Sequence, residues 1–408
     1  MNLGLLRGMS LFVGARVIFA LSQWAIIAGL SKVAGLSLVG AYGAALAVIT
    51  PIFTLAAMGM RQAAATDIHH EFPTRVYLTA RLISGVVAIL LAAGVGLILF
   101  GPSLTYWICL ALAPVKFMEA TAELRYGLLQ KHDRHGAIAV SMIVRSLANI
   151  ACILVGYVLT GSIIAALLIN GVAVLAVGLV LEGPMLHRLS AAEPKLALRA
   201  MLGQAARLIR QCFPLGISAF LVTTLHALPR LAVERMLGLE VAGVFTVFSM
   251  TFQAAANLVQ VAGVSAITRI ARDFRSAAKA GTAGLVLKVS GALIGLNVAV
   301  TLAVIPISQS MLSLMFSPQI GEAWALFIAL SLASSFRYAG ELARLPVSAA
   351  RRFGLQLKID LALLAAGVPC ILALTALHGS WGAALATGAT GLAFYASYAL
   401  TTARLSRS

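Results

Sequence analysis

The sequence predicts an all-α polytopic membrane protein of about twelve transmembrane helices. Three observations lead there: the apolar content, the regular recurrence of long apolar runs, and the placement of the basic residues between them. Hydrophobic residues make up 61% of the 408-residue chain and charged residues 11%, with a mean hydropathy of +0.99. A soluble domain is about a quarter charged. This much apolar side chain can be used only where lipid is part of the solvent.

A spanning helix needs about 20 mostly apolar residues. Such runs occur at 10–30, 36–60, 76–100, 104–129, 137–159 and 163–181, and again at 213–237, 241–266, 285–307, 323–345, 355–376 and 381–400. The chain is therefore expected to comprise a six-helix lobe at 1–181, a cytoplasmic linker at 182–212 and a second six-helix lobe at 213–408. No cleavable signal peptide is expected, because the apolar run after Met1–Gly8 is too long and lacks an A-x-A site.

Lys and Arg between spans set the orientation. One side holds Arg7, Arg61, Arg75, Arg125, Lys131 and Arg134, the basic cluster from Arg188 to Arg210, the cluster from Arg269 to Lys279, and Arg351, Arg352, Arg404 and Arg407. That is nineteen of the 30 basic residues. The opposite loops hold Lys32 and little else, so both termini are expected in the cytoplasm. The same asymmetry explains most of the net charge of +17 without a nucleic-acid partner. The cysteines Cys109, Cys152, Cys212 and Cys370 are widely spaced and read as small apolar residues, neither disulfides nor metal ligands.

In the linker, apolar Leu198, Met201, Leu202, Ala205, Leu208, Ile209 and Cys212 alternate with Arg199, Arg207 and Arg210 after Pro194. This is the spacing of a helix lying on the cytoplasmic membrane surface, tethering two halves. The halves themselves resemble each other. Gly35-Leu-Ser-Leu-Val-Gly40-Ala-Tyr42 matches Gly238-Leu-Glu-Val-Ala-Gly243-Val-Phe245, and Glu123-Leu124, Arg134 and Gly136 match Glu341-Leu342, Arg352 and Gly354. Halves with an even number of spans share one topology, and proteins built this way place substrate near the midplane at the repeat interface.

The most informative residues are the charges inside the spans. A central Arg or Lys costs about 2.5–3.5 kcal/mol on insertion scales. Arg16, Lys116, Arg145, Arg230, Arg235, Arg337 and Arg344 lie inside apolar runs. Arg235 and Arg344 are near span ends and can snorkel. The other five would cost on the order of 15 kcal/mol facing lipid, so they must face protein or water. They sit on polar stripes: Arg16 with Gln23; Lys116 with Glu119 and Glu123; Ser141, Arg145 and Asn149; Thr223, His226, Arg230 and Glu234; Ser334, Arg337, Glu341 and Arg344. Pro229 is expected to kink its helix beside Arg230. Seven cations against Glu119, Glu123, Glu234 and Glu341 leave a cationic cavity, and the planar fork of Arg suits phosphate. Arg16, Gln23, Lys116, Arg145, His226, Arg230 and Arg337 are thus candidate substrate ligands. The four acids are candidates for ion coupling or helix pairing.

Other signals point nowhere specific. Asp67, His69, His70 and Glu71, and His132 with His135, are polar residues of short loops, and no metal site is expected from them. No G-x-x-x-x-G-K-[ST] loop is present, and no large loop offers catalytic residues, so neither a cofactor nor an enzyme activity is expected.

Arg16 in the first span, Gly40-x-Tyr42 opening the second, Glu123 with Gly127 and Gln130 ending the fourth, and Pro229-Arg230 before Gly238-Leu239 resemble the bacterial polysaccharide flippases. These belong to the multidrug/oligosaccharidyl-lipid/polysaccharide (MOP) exporter superfamily. The resemblance implies a MATE-like two-lobed bundle in the bacterial inner membrane. It implies a substrate of undecaprenyl-diphosphate-linked oligosaccharide, moved by alternating access, with a cationic lumen to which Arg16, Arg145, Arg230 and Arg337 would correspond. The partners it implies are membrane lipids, a polysaccharide polymerase and a chain-length regulator. Two alternatives stay open: a cation-coupled multidrug exporter of the same superfamily, which would want an acidic cavity, and a membrane glycan polymerase or transferase, which would want a catalytic loop.

Overall fold

The structure, a computed structural model, describes residues 3–67, 71–191, 193, 196–273, 279–350 and 352–407. Of residues 3–10, 189, 260–273, 279–280 and 406–407 it describes the backbone alone. His69, His70, Pro194, Lys195, Arg275 and Arg351 of the sequence reading lie outside the described residues.

Every element among the described residues is helical. In chain order these are α1 (Leu3–Val33), α2 (Leu36–Ala57), α3 (Met60–Thr66), α4 (Thr74–Phe100), α5 (Leu104–Gln130), α6 (His135–Ile150), α7 (Gly156–Thr160), α8 (Ile163–Val177) and α9 (Gly183–Ser190). Then follow α10 (Leu198–Leu237), α11 (Leu239–Asp273), α12 (Lys279–Val304), α13 (Ser308–Met315), α14 (Pro318–Glu322), α15 (Trp324–Ala343), α16 (Leu345–Ala349) and α17 (Phe353–Arg407). Single π turns at Ala151–Val155 and Gly178–Glu182 join α6 to α7 and α8 to α9. Only helices satisfy their own backbone polar groups in lipid, which is why an apolar chain of this kind folds so.

Nine helical stretches among the described residues are long and apolar enough to cross a membrane. α5 and α15 are not among them. They are 27 and 20 residues long, but carry Lys116, Glu119, Glu123 and Arg125, and Arg337 and Glu341. α17 is 55 residues long and contains Gly379 at φ 58°, ψ −137°, a conformation closed to residues with a Cβ, so it is two helical arms joined at that glycine. The protein is a multi-pass membrane protein.

The chain forms two compact units, Met1–Ile26 with Ala45–Thr223, and Ile27–Ala44 with Thr224–Ser408. Their boundaries fall inside α1, α2 and α10.

In the first unit the linker segment packs on protein. α10 is one 40-residue helix from Leu198 to Leu237, running through Pro214 and Pro229. Ala205, Leu208 and Cys212 are buried against Met60, Phe72, Tyr77, Leu124 and Leu186. The apolar stripe read as membrane-facing is largely covered by protein, although Leu198 and Leu202 stay exposed. An amphipathic pattern states only that one face is apolar, and either surface can cover it. Just before this helix, the Glu193 carboxylate accepts the Thr74 backbone N–H at 2.9 Å and its hydroxyl at 2.6 Å, satisfying the start of α4.

In the second unit the repeated octapeptides meet. Gly35 and Gly238 both have left-handed φ (78° and 86°), and each is followed at once by a helix. A methyl group at Gly40 would collide with the carbonyl of Leu239, and one at Gly243 with the carbonyl of Leu36, so the two helix starts cross reciprocally. Small residues allow this close approach where lipid supplies no hydrophobic drive. The second matched pair also holds in register: α6 begins at His135 and α17 at Phe353, each twelve residues after the matched Glu123 and Glu341.

Candidate functional site

The candidate site is a cavity in the second unit. It takes His226, Pro229 and Arg230 from α10, Ser249 and Gln253 from α11, Ser334 and Arg337 from α15, and Thr387 and Thr390 from α17, with Leu225, Phe245, Phe252 and Leu330 as apolar wall. The helical stripe of three- and four-residue steps brings His226 and Arg230 to one face. Pro229 has no N–H to donate and so leaves the Leu225 carbonyl without its helical partner.

Arg230 is only 8% exposed, and its Nη1 has no hydrogen-bond partner. Arg337 donates through Nη2 to Gln253 Oε1 at 2.5 Å, while its Nε is buried and unpaired. Nε2 of His226 is likewise unpaired, and its ring stands edge-on to Phe394 at 5.6 Å. Among the described residues neither Arg230 nor Arg337 has a carboxylate within ion-pair distance. Two guanidiniums with donors to spare and no carboxylate in the cavity wall make a site for an anion.

The buried cations of the first unit are arranged differently. Arg145, 4% exposed, donates to Glu182 Oε1 at 2.6 Å; Ser141 donates to the same oxygen at 2.7 Å, and Arg125 reaches Oε2 at 3.1 Å. Arg125 also donates to the Gly178 carbonyl, which the π turn exposes to a second donor. Arg16 and Arg61 converge on Glu123 Oε2, and both guanidiniums lie against the Phe12 ring, at 5.5 and 5.8 Å from its centroid. Lys116 is paired with Glu119 at 2.7 Å. Gln23 is half-buried in α1.

Of the predicted ligands, then, His226, Arg230 and Arg337 line one cavity, while Arg16, Gln23, Lys116 and Arg145 belong to the first unit, the three cations each facing an acid. Of the predicted acids, Glu119 and Glu123 are paired as above and Glu234 lies 3.8 Å from Arg235. Glu341 does not line the cavity.

Three residues escaped the sequence reading. Asp360, fully buried, accepts from Arg344 at 3.1 Å and from the Tyr398 hydroxyl at 2.6 Å. It lies inside an apolar run, two residues after Lys358, the same signal that marks the cations. Glu182 directly follows the sixth run, at the first position of the linker. Arg81, 2% exposed, donates to the carbonyls of Ala56 and Ala57 and so caps the end of α2. With Asp360 and Glu182 included, the buried cations without a carboxylate partner among the described residues are Arg81, whose Nη1 and Nη2 are taken up by the end of α2, and Arg230 and Arg337, which keep donors free in the cavity wall.

Comparison with known proteins gives a consistent answer. The profile of the family described as "Polysaccharide biosynthesis protein" matches residues 5–271. Capsular polysaccharide biosynthesis protein CapF of Staphylococcus aureus is 20% identical over 350 residues, 86% of this chain and 87% of that protein. Among solved structures, a mutant form of the Vibrio cholerae MATE transporter VcmN aligns over 99% of both chains, with a TM-score of 0.68 and 14% identity. The lipid II flippase MurJ in an inward closed conformation aligns over 96% of this chain and 87% of its own, with a TM-score of 0.71 and 12% identity. At these identities the likeness to MATE and MurJ is one of fold alone.

Proposed function

The chain belongs to the polysaccharide biosynthesis protein family, and from that premise we propose that it is a flippase for lipid-linked oligosaccharide in the bacterial inner membrane. Its substrate is a polyprenyl-diphosphate glycan, carried across by alternating access, with the diphosphate held at Arg230 and Arg337. The observation that carries this reading is the cavity with two guanidiniums and no carboxylate. A diphosphate diester brings two negative charges and presents several acceptor oxygens to planar donor forks. Ser249, Ser334, Thr387 and Thr390 add hydroxyls suited to sugar or phosphate oxygens. A multidrug exporter for organic cations would find the wrong charge here.

Arg230→Ala should abolish or sharply reduce glycan export in cells while the protein inserts at normal levels. Losing a charge-assisted contact costs roughly 1.5–3 kcal/mol, or tenfold to a hundredfold in affinity. Arg230→Lys should recover part of the activity, returning the charge without the fork. Full export by a well-expressed Arg230→Ala protein would refute the assignment.

A further inference from the structure

We propose that Gln253 is the specificity-determining residue that keeps this cavity selective for anions, by orienting Arg337 without neutralising it. The proposal rests on the anion-site reading above and deepens it.

The contrast lies in which side chain the cations of the spans meet, Arg81 apart, which ends on backbone carbonyls. Arg16 ends on Glu123, Lys116 on Glu119, Arg145 on Glu182 and Arg344 on Asp360. Arg337 ends on an amide, the Oε1 of Gln253, at 2.5 Å. The amide is itself fixed: Gln253 Nε2 donates to Asn257 Oδ1 at 2.9 Å, one turn further along α11. With its NH2 group engaged by Asn257, Gln253 can offer only its carbonyl oxygen to Arg337. The adjoining residues hold the two helices together, since the Tyr338 hydroxyl donates to the Phe252 carbonyl at 3.0 Å. Asn257, Gln253 and Arg337 thus form a chain of hydrogen bonds ending at the cavity.

Glutamate is the same size as glutamine and would hold Arg337 as well or better, because an ionised acceptor strengthens the bond. It would also pair the charge that an incoming phosphate needs. At this position a neutral acceptor is the only kind that both aims the guanidinium and leaves it available. The ligand class is a diphosphate group, free or lipid-borne.

The test uses purified full-length protein in nanodiscs of zwitterionic lipid, with geranylgeranyl diphosphate as probe, inorganic pyrophosphate as the free anion and geranylgeraniol as the uncharged control. Wild type should bind the diphosphate lipid and ignore the alcohol. Gln253→Glu should weaken binding by about tenfold to a hundredfold while its melting temperature stays level or rises. Gln253→Ala, which keeps the charge and loses only the orientation, should weaken binding by roughly threefold to tenfold. A merely structural glutamine would give the opposite order, with Ala the more damaging and both variants less stable. Whether pyrophosphate alone competes shows if the lipid contributes; in either case loss of binding in Gln253→Glu supports the role. No binding by wild type, or undiminished binding by Arg230→Ala, would overturn the anion site and this proposal with it. Binding by Gln253→Glu within twofold of wild type, with Arg230→Ala still defective, would overturn the role of Gln253 alone. So would unchanged binding by Gln253→Ala, should the Glu variant fail to fold.

Discussion

Arg145 and Arg230 carry the same guanidinium, are both almost fully buried, and differ in what stands opposite. Glu182 closes on Arg145 at 2.6 Å, whereas Arg230 has an unpaired Nη1 in a cavity wall. The first arrangement is a structural pin. Removing one member of a buried pair strands the other, at a cost of about 3–5 kcal/mol, while replacing both by apolar residues of similar volume is often close to neutral. Glu182→Ala should therefore lower the melting temperature of the detergent-solubilised protein markedly, and Arg145→Met with Glu182→Leu should restore most of it. If the single and double variants melt alike, the pair is not what holds α6 to the end of α8. That Arg145 and Arg230 turn away from lipid is legible from the apolar runs, because insertion cost forbids them from facing it, although the same signal at Arg81 passed unread. Which of the two is neutralised is not legible. Glu182 lies 37 residues from Arg145 in sequence, and no local spacing announces a partner so distant.

At the scale of elements, the octapeptides around Gly40 and Gly243 show the same division. Their likeness is visible in sequence, and so are the left-handed turns that Gly35 and Gly238 supply. Their mutual contact required the fold. Because each glycine faces the other helix's backbone, which cannot move aside as a side chain could, Gly40→Ala and Gly243→Ala should each cost about 1–3 kcal/mol by overpacking. Gly14→Ala and Gly94→Ala, where the added methyl meets open space, should leave thermal stability unchanged or slightly raised. Equal stability across the four variants would mean that the crossing is looser than described. The linker teaches the complementary lesson: its amphipathic stripe is legible, but the core formed by Phe72, Tyr77 and Leu186 that receives it is not, since these residues come from distant parts of the chain, the loop before α4, α4 itself and α9.

For the whole molecule, helical class and multi-pass character follow from composition and hydropathy, and family membership follows from the match over residues 5–271. The apolar runs mark nearly all the long helices. The polar ones, α5 and α15, are those in which charge lowers the hydropathy, and they hold Lys116 and Arg337 for the same reason. Function at this scale turns on whether the uncompensated pair in the second unit carries a diphosphate across a bilayer. The direct measurement is translocation in liposomes reconstituted with the purified protein, using a fluorescent glycan on a prenyl diphosphate and the same glycan on an uncharged prenyl ether. Wild type should move the diphosphate lipid and leave the uncharged one behind, and Arg230→Ala with Arg337→Ala should lose on the order of a hundredfold or more in rate for the diphosphate lipid. Equal rates for the two lipids, or an undiminished rate in the double variant, would contradict the account.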